Sequence, residues 1–146
     1  MSTQEKKWPG LSVSDSDNEI ITRIRSAEGI LKSIDIKDLL MIAAAIAVKK
    51  DAPELTTKQE SLTRQIMHPT LMAKQDYSEY RQYIALIFYI TNGHNKLENM
   101  SDVSTMVKNF IDYAQRGLRL LEALYLNQKD GSDALMQDFA VLLSKH

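Results

Sequence analysis

Between Leu39 and Val48 the chain reads LLMIAAAIAV, a run without a single charged or polar side chain. A helix on a protein surface shows hydrophilic residues every third or fourth position, and this stretch has none. As a helix it must be covered on all sides by the rest of the fold. Its four alanines, Ala43, Ala44, Ala45 and Ala47, would let neighbouring helices come close. The run has about half the length needed to cross a bilayer, so the burial it demands is that of a protein core.

The 146 residues suffice for one domain with a substantial interior. Five glycines and three prolines are few, which favours long helices over a turn-rich β fold. A formal net charge of −1 gives no support to binding dominated by phosphate contacts. Without cysteine there is neither a disulfide framework nor a thiolate site, in keeping with a reducing compartment. The opening MSTQEKKWPG lacks the apolar stretch of a signal peptide, so the expectation is a soluble, cytoplasmic protein.

Residues 1–17 are polar and turn-forming, with Trp8, Leu11 and Val13 as the apolar exceptions after Met1, and read as a flexible N-terminal arm. Residues 18–146 read as a single helical domain. Ile20, Ile21, Ile24, Ala27 and Leu31 recur at helical spacing from Asp17 or Asn18 onward. The apolar helix follows, with Ser33 or Asp35 as its cap, and Asp51-Ala52-Pro53 stops it. Thr57-Lys58-Gln59-Glu60 has the form of a capping box and predicts a short third helix to Met67, ended by His68-Pro69. Asp76 and Glu79 form a second such box ahead of Tyr80, Tyr83, Ile84, Ile87 and Phe88, with Asn92-Gly93 as the C-terminal cap. The longest helix is predicted from Asp102 to Asn127, capped by Ser101. Its seam of Val103, Val107, Phe110, Ala114, Gly117, Leu121 and Leu124 is sustained for three heptads. A last helix after Ser132 carries Leu135, Met136, Phe139, Ala140, Leu142 and Leu143. The fold class is therefore all-α, a compact bundle of five to six helices around a central apolar one.

No pattern in the chain carries recognisable chemistry. His68, His94 and His146 are dispersed and lack the helical ligand spacing of a metal site. The pairs Asp15/Asp17 and Asp35/Asp38 stand at helix starts, where the dipole accounts for them. No glycine-rich phosphate loop and no nucleophile elbow is present. Neither a catalytic residue nor a cofactor or metal ligand is assigned, and an enzyme is not expected. Tyr77, Tyr80, Tyr83 and Tyr89 with Arg81 have the composition of a base-stacking surface, yet Tyr80 and Tyr83 fall on the core side of their helix. Arg23, Arg25, Arg116 and Arg119 are the candidates for nucleic-acid contact, in a small helical DNA-binding or regulatory module. Trp8, Met67 and Met72 are the candidates for contact with a protein partner, because a lone tryptophan anchors well and methionine adapts to many surfaces. The long helix also leaves room for pairing with a second copy.

Two segments resemble one family. Ile36-Lys37-Asp38-Leu39-Leu40-Met41-Ile42-Ala43-Ala44-Ala45-Ile46-Ala47 resembles a helix of small bacterial proteins associated with DNA phosphorothioation and related restriction islands. Tyr113-Ala114-Gln115-Arg116-Gly117-Leu118-Arg119-Leu120-Leu121 is similar to a later segment of those proteins, and the likeness spans residues 20–126. Val48-Lys49 stand where the family has a glycine, and Arg116-Gly117 where it has two. What the resemblance implies is a small accessory protein encoded beside DNA-modifying or DNA-cleaving partners in a defence island, and the leading expectation is a non-catalytic component that binds other proteins in a bacterial DNA-modification or anti-phage system.

Overall fold

In a computed structural model describing residues 8–55, 61–92 and 102–126, the apolar run lies within a helix. It spans Ile36–Lys49, the second helix of the chain (α2), after α1 at Asp15–Ser26. Leu39, Leu40, Ala43, Ala44, Ile46 and Ala47 are buried, and no residue from Leu39 to Val48 is fully exposed. The described chain is mostly helical. No helix in it is long and apolar enough to cross a membrane.

The end of α2 is set by backbone geometry. Asp51 adopts a left-handed conformation at φ 52°. The Ala52 N–H then donates to the Ala47 carbonyl at 2.9 Å and the Asp51 N–H to the Val48 carbonyl at 3.3 Å. These two bonds make a Schellman motif with aspartate where glycine is usual.

The long helix α5 covers Val103–Leu121 and is the main partner of α2. Its N-cap is Asp102, whose carboxylate accepts from the N–H groups of Ser104 and Thr105 at 3.1 and 3.3 Å. Val107, Phe110, Ala114, Gly117 and Leu121 of the heptad seam are buried. The two helices come close at Gly117, where a Cβ would lie 1.7 Å from the Ala43 carbonyl oxygen. Only a glycine lets the two backbones meet this closely. The helix then widens into a π-helical turn over Glu122–Leu126. There the Tyr125 hydroxyl accepts from the Leu31 N–H and donates to the Glu28 carbonyl, each at 3.2 Å, which ties this end to the loop after α1.

Two shorter helices precede α5, namely α3 at Pro69–Met72 and α4 at Ser78–Asn92. Tyr80 and Tyr83 of α4 set their rings edge-on against Phe110, with centroids 5.8 and 6.2 Å away. Their hydroxyls donate to the Lys37 and Met41 carbonyls of α2 at 2.8 and 2.9 Å. Burial pushes the Tyr83 phenol up to about 12 and raises that of Tyr80 further. Both rings are thus packing groups rather than a base-stacking surface. A 3₁₀ turn at Gln75–Tyr77 leads straight into α4, so Asp76 does not act as the expected cap.

Two expectations need correction. The chain is not strictly all-α, because Leu11–Val13 (β1) pairs antiparallel with Arg64–Met67 (β2). Leu11 faces Met67 and Val13 faces Arg64, and the register shifts by one residue between Leu11 and Ser12. Residues 64–67 are therefore extended where a third helix is expected, and residues 56–60 lie outside the described part. Likewise the flexible arm does not extend through residues 8–17. Leu11 and Val13 are fully buried, and α1 already starts at Asp15 behind the N-cap Ser14. Alternation over three residues is too short to read locally, and β1 gains its burial from a partner some fifty residues away. Gly10 matters at this junction, since a Cβ there would sit 2.3 Å from the Met67 carbonyl oxygen. The expected caps Ser101 and Gly93, the helix after Ser132, and His94 and His146 lie outside the described residues.

Candidate functional site

The four candidate arginines all engage groups of the protein itself. Arg119 projects from α5 onto Asp17, a fully buried carboxylate in the first turn of α1. Asp17 closes a capping box with Ser14. The Ser14 N–H donates to its carboxylate at 2.9 Å, and the Asp17 N–H donates to the Ser14 hydroxyl at 3.1 Å. Gln115, also buried, donates its side-chain amide to Asp17 at 2.7 Å, and Arg119 donates both to Asp17 and to the Gln115 carbonyl. Burial works against the charge on Asp17. The bonds from Gln115, the Ser14 amide and Arg119 outweigh it and hold the carboxyl below its usual range. This network joins α1 to α5.

Arg116, one turn earlier, is nine-tenths buried. It donates to Asp112 at 2.5 Å and to the Ala52 carbonyl at 3.3 Å, approaches Glu54 at 3.8 Å, and stacks over the Tyr113 ring at 4.4 Å. Arg23 pairs with Glu122, and Arg25 donates to the Ile34 carbonyl at 2.6 Å. Arg116 and Arg119 therefore do not form a free basic face. Each guanidinium bridges segments that lie far apart in sequence.

The partner-contact candidates fare similarly. Met67 and Met72 are buried in the core, and Trp8 packs half-buried against it. This corrects the expectation of adaptable methionine surface, because both side chains turn inward from the strand and the short helix that carry them. His68 caps α3, with Nδ1 accepting from the Thr70 N–H at 3.0 Å. Among the described residues no group of three or more histidines or carboxylates is placed to hold a metal ion.

Two surface features among the described residues bear on function. One is a cleft of about 400 Å³ between the N-terminal ends of α2 and α4. Its walls include Lys37, Asp38, Asp76, Tyr77, Glu79 and Tyr80. Lys37 pairs with its neighbour Asp38 at 3.1 Å on the α2 wall, and Asp38 and Glu79 stand in the first turns of their helices, where the dipole favours a carboxylate. The other is the outer side of α4, where Leu86 and Ile90 are 51% and 53% exposed. They stand one helical turn apart, so their side chains form one continuous apolar strip. Gln82 is exposed a turn before Leu86. Ile30, Leu62 and Leu71, also exposed, come from separate segments. The sequence signal for the strip was the step of four from Leu86 to Ile90, out of phase with the core-facing Tyr80, Ile84 and Ile87.

Comparison with known proteins adds nothing to this geometry: no family model, curated protein or solved structure matches the chain.

Proposed function

We propose that this protein is a non-catalytic accessory component of a bacterial DNA-modification or anti-phage defence system, and that it works by binding another protein through the outer face of α4. The observation that carries the docking half is the exposed Leu86–Ile90 strip on a helix whose opposite side is firmly packed. A strip of this kind suits a partner helix or groove, with anchors spaced one turn apart. Supporting the non-catalytic half, Asp17 serves as part of a capping box, Arg25 anchors a backbone carbonyl, and Arg116 and Arg119 are held by carboxylates of the protein itself. The defence context rests on the resemblance of the α2 and α5 segments. A DNA-binding module has less behind it, because Arg23, Arg25, Arg116 and Arg119 are all engaged internally.

Tagged protein purified gently from its native host tests both halves. Nuclease, helicase or DNA-modification subunits should come with the wild type and be lost from the Leu86→Ser/Ile90→Ser variant. Recovery of the wild type alone would overturn the accessory reading. Undiminished partner retention by a folded variant would overturn the α4 face.

A further inference from the structure

We draw no further inference here: the strongest candidate, the cleft of about 400 Å³ between the N-terminal ends of α2 and α4, has among the described residues no buried unpartnered group pointing into it to indicate a ligand.

Discussion

Gly117→Ala sets two effects of opposite sign against each other. Intrinsic helix propensity favours alanine over glycine by about 1 kcal/mol in a helix interior. Packing opposes it. The new Cβ would lie 1.7 Å from the Ala43 oxygen, 2.3 Å from its carbonyl carbon and 2.7 Å from its Cα. All three are backbone atoms inside α2, so no rotamer change can relieve the overlap. The two helices would have to part by roughly 1.5 Å, more than the gap of about 1 Å that already forfeits up to half of the dispersion attraction across the contact. Overpacking of this kind costs about 1–3 kcal/mol, and a clash against backbone belongs at the upper end. The net expectation is a loss of about 2 kcal/mol, which lowers Tm by roughly 8 °C for a chain of this size. Urea titration and thermal melts followed by circular dichroism would measure it. Ala43→Gly should give no rescue in the double variant, because the Ala43 side chain is not what the new methyl strikes. A Gly117→Ala protein as stable as the wild type, or more so, would show that the helices do not approach as closely as described.

Asp17→Asn should cost about 2–3 kcal/mol in urea unfolding, since it strips the charge from a buried acceptor and leaves the partly exposed Arg119 without its counter-ion. The pH dependence follows from the same group. Its native pKa is lower than its unfolded one, so its contribution is fully present above about pH 4 and is lost as the pH falls through the native value. The urea midpoint of the wild type should hold down to that point and then drop, with a shallower drop in Asp17→Asn. Asp51→Gly should raise stability by about 0.5–1 kcal/mol, because it relieves a left-handed residue in the cap of α2, and an unchanged or lowered Tm would refute that reading. Leu86→Ser/Ile90→Ser should leave the urea midpoint within about 0.5 kcal/mol of the wild type, as expected for side chains outside the core.

Those parts of the fold that repeat every three or four residues were legible in the sequence. The unbroken Leu39–Val48 run, the Tyr80–Ile84–Ile87 stripe and the 103–121 seam each form the expected helix, because the signal and the structure are both local. The β1–β2 pair was not legible. Three residues of alternation carry no weight by themselves, and the cap pattern at Thr57–Glu60 argued locally for helix beside a segment that tertiary pairing holds extended. The arginines failed for a related reason. Asp17 and Arg119 are about a hundred positions apart, as are Arg23 and Glu122. Nothing in composition or spacing tells a cation waiting for phosphate from one already answered by a distant carboxylate.

The same distinction bears on what the family resemblance can carry. Its two segments are α2 and the second half of α5, and they meet at the Ala43–Gly117 contact. Ala43 and Gly117 make the close approach, Gln115 and Arg119 hold Asp17, and Tyr113 lies under Arg116. Each of these quoted residues has a packing or bridging role, so sequences sharing them would share the geometry of this helix pair whatever their partners. A likeness of that sort bears first on architecture. Leu86 and Ile90 of α4 lie between the two quoted segments in sequence and outside the core. On the proposed docking reading partner choice resides on that outer face, and exchanging Leu86 and Ile90 for other exposed apolar residues should change which protein is bound while leaving the α2–α5 contact and the Tm as they are.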